Sequence, residues 1–170
     1  DKNSLQYFLS ICVTRHHRER PLLSTRSVIV HDLYQARAAA TQANAIGAPV
    51  ELRSPRNGAA ILGPGVFKAI ADDLARTHPG TASSMILDCG TNAGLAMAAL
   101  RQGCKDICVD VPAETRAKIA AIAQAQSARL HGPVEIALDL AASANGGTPE
   151  DRNRMKASLE QFLRGDAHDV

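Results

Sequence analysis

Residues 85–112, MILDCGTNAGLAMAALRQGCKDICVDVP, carry the fold. Met85-Ile86-Leu87 runs into Asp88, and an alanine- and leucine-rich stretch follows to Gln102, where Gly103 stops it. A second apolar run, Ile107-Cys108-Val109, ends in Asp110. Two strands joined by a helix of this length predict a parallel crossover unit.

The same grammar extends outward. Upstream, Val28-Ile29-Val30 reads as a strand ending at His31-Asp32. A helix over 33–46 places Leu33, Ala36, Ala40 and Ala43 on one face, and Gly47 and Pro49 end it. Val50-Glu51-Leu52 is a second strand, followed by a glycine-rich loop over 56–65. The next helix, over 66–76, spaces Phe67, Ile70, Ala71 and Leu74 helically. Downstream, a helix over 113–130 carries the stripe Ile119, Ile122 and Ala123. Gly132-Pro133 then precedes a strand over 134–138 that ends in Asp139, and 141–147 reads as a loop. Thr148-Pro149-Glu150-Asp151 signals a helix start, and Met155, Leu159, Phe162 and Leu163 give that helix an apolar face. Segments 28–55 and 85–112 match in length and order. A duplicated βαβα unit would explain this, and so would the grammar common to all such units.

These elements predict an α/β domain of three layers. Its mostly parallel sheet would have about five strands, near 28–31, 50–53, 85–88, 107–110 and 134–138. Half of a (βα)8 barrel fits the same grammar and is the alternative. Residues 1–26 read as a flexible basic N-terminal arm containing TRHHRER, 27–164 as a single domain, and 165–170 as a tail.

With 170 residues, 45% apolar and only 3% aromatic, the core must be built largely from alanine and branched aliphatics. Each buried alanine removes little apolar area from water, so a homodimer that buries more surface is expected. The terminal segments, including the apolar run 7–13, are its expected contacts. A net charge of +2 gives no electrostatic case for nucleic acid. Cys12, Cys89, Cys104 and Cys108 form no CxxC pair, which suits reduced thiols and a cytoplasmic setting. Leu5–Val13 is too short to span a bilayer. Adjacent His16 and His17 cannot share a face, so no metal site is expected there.

In a parallel sheet the C-terminal strand ends share one edge, where ligands bind. That edge would collect His31, Asp32, Ser54, Asp88, Cys89, Asp110 and Asp139. Converging carboxylates can hold Mg²⁺ or act as acid and base, with His31, Asp88, Cys89 and Asp110 as catalytic candidates. Alternatively, each aspartate caps its own helix. Gly90, Thr91 and Asn92, with Asp32, Ser54 and Asp139, are ligand-binding candidates. The glycines match neither a Walker A nor a GxGxxG pattern, and no cofactor is indicated.

From Phe67 to about Ile122 the chain resembles the second half of a response-regulator receiver domain. FKAIADDLARTHPG resembles the helix after the phosphorylated strand, and AALRQGCKDICVDVPAETRAKIAAI resembles the closing segment. The phosphoacceptor position would fall at 52–54, where there is no Asp, and the lysine position at 110–111 holds Asp110 and Val111. The resemblance therefore implies a flavodoxin-like, receiver-like module without phosphotransfer. The alanine-rich βα pattern also resembles that of small bacterial proteins, a resemblance that implies no function. Two functions follow as expectations: a non-catalytic regulatory or protein-interaction module, and an enzyme that binds a small molecule or phosphate ligand at the Asp/His rim.

Overall fold

The computed structural model describes residues 25–143 and 147–165. The arm through residue 24, the loop residues 144–146 and the tail from 166 lie outside them. Among the described residues six strands form one parallel sheet: β1 Arg26–Ile29, β2 Val50–Arg53, β3 Ala82–Asp88, β4 Asp106–Cys108, β5 Arg129–His131 and β6 Ala137–Asp139. The helices are α1 Leu33–Ile46, α2 Gly58–Ile61, α3 Pro64–Thr77, α4 Ala93–Arg101, α5 Ala113–Ala125 and α6 Pro149–Arg164. Among the described residues no helix is long and apolar enough to cross a membrane.

The expected α/β class, a parallel sheet flanked by helices, is observed. Across the sheet the strands run β5-β4-β3-β2-β1-β6, so β1 to β5 follow chain order. A flavodoxin order would set β1 between β2 and β3. Here β2 occupies that place, the order of the barrel alternative.

Alternate strand residues divide the sheet's two faces. Val28, Val50, Leu52 and Leu140 pack with α1, α3 and α6 in one apolar cluster. Leu87, Cys89, Ile107 and Val109 pack with α4 and α5 in a second. The opposite face carries Ser27, Glu51, Arg53, Ser84, Ile86, Asp106 and Cys108, and it turns inward. Its curvature follows from chain reach. In a flat sheet, β5 and β6 would stand five spacings apart, about 24 Å. The six steps from His131 to Ala137 span at most about 22 Å. β6 also restarts low on the sheet, with Ala137 beside Ser27. The sheet must therefore curl.

Three local expectations are corrected. The helix expected over 113–130 ends at Ala125, because Ser127 adopts a left-handed conformation with φ 54° and releases 129–131 into β5. No glycine marks this stop. The last strand is Ala137–Asp139 rather than 134–138, since 132–136 is spent crossing between sheet edges. The loop expected over 56–65 contains α2, which starts after Asn57, itself at φ 58°. Within helices, Leu33 and Ala71 are only half-buried, and Ile122 is 37% exposed. Arg26 belongs to the domain and not to the arm: it lies in β1, with its guanidinium 5.2 Å from the centre of the Phe162 ring.

α6 begins where expected, with the Thr148 hydroxyl accepting a bond from the Asp151 amide. It buries Met155, Leu159 and Leu163 against α1 of its own chain. Leu159→Ala should lower unfolding free energy by about 2–5 kcal/mol, mainly as a reduced midpoint in urea with little change in slope. An unchanged midpoint would show that α6 does not complete this core.

Candidate functional site

The rim residues divide between scaffold and cavity. Asp32 is spent on capping: its Oδ1 accepts from the Gln35 amide at 2.8 Å. Asn92 caps α4 in the same way, accepting from Leu95 at 3.1 Å. Thr91 is exposed. His31 Nε2 and Asp139 Oδ1 stand 2.7 Å apart at the β1–β6 edge, and Asp139 also accepts from the Ala141 amide.

Asp88 ties two loops together. Its Oδ1 accepts from the amides of Asn57 and Gly90, each at 2.8 Å. The Ser54 hydroxyl accepts from the Asp88 amide at 2.8 Å and donates to the Pro55 carbonyl. Gly90 sits at φ 57°, and a Cβ there would fall 2.9 Å from Asn57 Oδ1, so glycine lets these loops meet without a shift of Asn57. Asp110 follows β4, donates its amide to the Gly90 carbonyl at 2.8 Å, and leaves its side chain exposed.

These residues frame a cavity of about 350 Å³ at the C-terminal strand ends. Ile29, Arg53 and Ile86 line it from the sheet, and Asp88, Cys108 and Asp110 line it at strand ends. Ser54, Arg56 and Gly90 come from the loops above, with Pro133 and Val134 of the β5–β6 crossing. Thus Ser54, Asp88, Gly90 and Asp110 come together as expected, whereas His31, Asp32, Cys89, Thr91, Asn92 and Asp139 do not line it.

Beneath the cavity lies a partly buried ionic network. Glu51 and Arg53, two residues apart on one strand, share the inward face, with Oε1 and Nε 2.6 Å apart. Ser27 and Ser84 also donate to Glu51, and Arg53 Nη1 donates to the Gly132 carbonyl at 3.1 Å, fastening the crossing segment. Burial pushes the Glu51 carboxyl up, but bonds from Ser27 and Arg53 outweigh it, with the charges of Arg53 and His131 adding to them, and leave it below its ordinary value. Further along the same face, Asp106 meets both Arg129 and His131 at 2.7 Å.

The thiols at and beside the rim are poor nucleophiles. Cys89 is fully buried and faces the helices, and burial, with the Asp88 charge, pushes its thiol up to about 12. Burial also raises Cys108, ahead of the nearby Asp88 charge, against lowering by Arg53 and Arg116. Both thiols stay protonated and unreactive near neutrality. Among the described residues no group of three or more His, Cys, Asp or Glu could hold a metal ion.

The residues missed from sequence are Glu51, Arg53, Arg56, Cys108 and the 133–134 segment. A signal for two of them was present. A strand with helices on both faces reads as a continuous apolar run, yet Val50-Glu51-Leu52-Arg53 alternates. That alternation marks an inward polar face.

Arg53→Met should destabilise the fold by about 3–5 kcal/mol by stranding the Glu51 carboxylate, and adding Glu51→Gln should recover much of the loss. Because the folded-state value of Glu51 is depressed, its stabilisation is present above the ordinary carboxylate range and lost as pH falls through the folded value. Melting temperature below about pH 5 should therefore fall less steeply in Glu51→Gln than in wild type. A neutral alkylating reagent at pH 8 should label Cys89 only after denaturant is added, read by peptide mass spectrometry. Rapid labelling of the folded protein would contradict the thiol assignment.

No protein-family model matches the chain, and no curated protein matches it.

Proposed function

We propose that the chain is a non-catalytic, regulatory small-molecule-binding module whose ligand occupies the cavity at the C-terminal strand ends. The observation that carries this reading is the division of labour in that cavity. Groups able to do chemistry are committed to structure: Asp88 to two amides, Arg53 to Glu51 and Gly132, Cys108 to a protonated state. The concave surface remains, with two polar side chains, Arg56 and Asp110, at its mouth. Buried Leu52, Arg53 and Ser54 stand where a receiver's phosphoacceptor would, and the strand order differs from a receiver's, so the proposal includes no phosphotransfer. Cytoplasmic residence and a homodimer belong to the same proposal. The free Cys89, Cys104 and Cys108 support the first, and the thin alanine core supports the second.

One observation favours an enzyme as the second reading. His31 is held by Asp139 in the manner of an oriented general base. It stands at the β1–β6 edge and not in the cavity lining.

Thermal-shift screening against phosphates, nucleotides, sugar phosphates, amino acids and organic acids should find ligands that raise the melting temperature of wild type. Val134→Trp, which fills the mouth, should abolish the rise while its own melting stays cooperative. NMR of the bound compound after prolonged incubation should show it unchanged. A rise that survives Val134→Trp would remove the cavity from the account, and turnover abolished by His31→Ala would install the second reading.

A further inference from the structure

Resting on the cavity reading above, we infer that the ligand is a short polyol or hydroxy acid carrying one terminal oxyanion, a phosphate or carboxylate. The oxyanion is held at Arg56, and the hydroxyls are held at Asp110.

Charge and spacing at the cavity mouth define the ligand. Four formal charges line the cavity: Arg53, Arg56, Asp88 and Asp110. Arg53 is already neutralised by Glu51 at 2.6 Å, and Asp88 Oδ1 is held by two loop amides, which leaves its other oxygen to add to the acceptors on the Asp110 side. Arg56 and Asp110 remain, with no side-chain hydrogen bond to any described residue. A guanidinium is a fork of donors with no acceptor, so it selects an oxyanion. An ionised aspartate only accepts, so it selects hydroxyl or ammonium groups. A ligand satisfying both must therefore be bifunctional.

Spacing sets its length. Arg56 follows β2 and Asp110 follows β4, the two strands flanking β3. Their bases are thus separated by two strand spacings, about 10 Å. The Arg56 stem and the Asp110 side chain reach into that span from its two ends, and a short hydroxylated chain with its oxyanion at one end meets both. The floor between the two, Ile29 and Ile86 with Cys108, is apolar, which suits the carbon face of such a chain. The cavity's 350 Å³ suits a small ligand, not a dinucleotide.

Isothermal titration on the full chain tests this with inorganic phosphate, glycerol 3-phosphate, ribose 5-phosphate, tartrate, glycerol, ribose and serine as probes. At least one oxyanion-bearing polyol or hydroxy acid should bind about tenfold or more tightly than inorganic phosphate and than its neutral parent. The phosphate and tartrate arms identify which oxyanion is preferred. Arg56→Gln should reduce the oxyanion ligand to the affinity of the neutral parent. Asp110→Asn should erase the advantage over inorganic phosphate while leaving phosphate binding unchanged. Both sites are exposed, so both variants should melt like wild type. Equal binding of phosphate and its polyol esters overturns the inference, and so does equal binding of ribose and ribose 5-phosphate or preferred binding of serine. If only another class, such as nucleotides, binds and Val134→Trp blocks it, this inference fails and the cavity reading stands. If nothing binds, both fail.

Discussion

Five residues between β5 and β6 have to join the two outer strands of a six-stranded sheet, and most of the architecture follows from that reach. A helical crossover would have let the sheet stay open. The short crossing instead draws its edges together and turns one face inward. Whatever side chains occupy that face are then removed from bulk water and must satisfy each other. Glu51 and Arg53 do so as a pair on one strand, with hydroxyls from Ser27 and Ser84 completing the carboxylate. Arg53 also holds the Gly132 carbonyl, so the ion pair and the crossing segment stabilise one another.

The parts of this fold that were legible in the sequence are those governed by local periodicity. β1 to β4, α1, α3, α4 and α6 announce themselves through apolar spacing and caps, as at Thr148-Pro149. The end of α5 did not, because Ser127 takes up a left-handed conformation without the glycine that usually signals it. Strand order was not legible either. It depends on whether the chain reverses across the sheet, and the single clue was the polar alternation of β2.

The candidate site was half visible for a similar reason. Strand-end residues can be placed on a rim from sequence, since parallel strands share an edge. Which of them point at one space depends on sheet curvature. Asp32 and Asp88 look alike in sequence, each ending an apolar run before a helix. Asp32 caps its own helix. Asp88 spans to the β2 loop through Asn57 and becomes the beam on which the cavity mouth is hung.

The seam between α1 and the sheet is lined by Ala36, Ala39, Ala40 and Ala43, all without exposure. Side chains this short let a helix sit close to the strands, and little volume is lost if one is trimmed. The ordinary ranking of core damage is thereby turned over. Truncation at these positions costs about 1 kcal/mol, mostly in helix propensity. An added branch at Ala36, Ala39 or Ala43 must displace its packed neighbours, at about 1–3 kcal/mol or more, whereas Ala40 borders a cavity. The alanines thus act as an upper limit on size, a steric specification in a composition that looks featureless. Drift along this seam costs less toward smaller residues than toward larger ones.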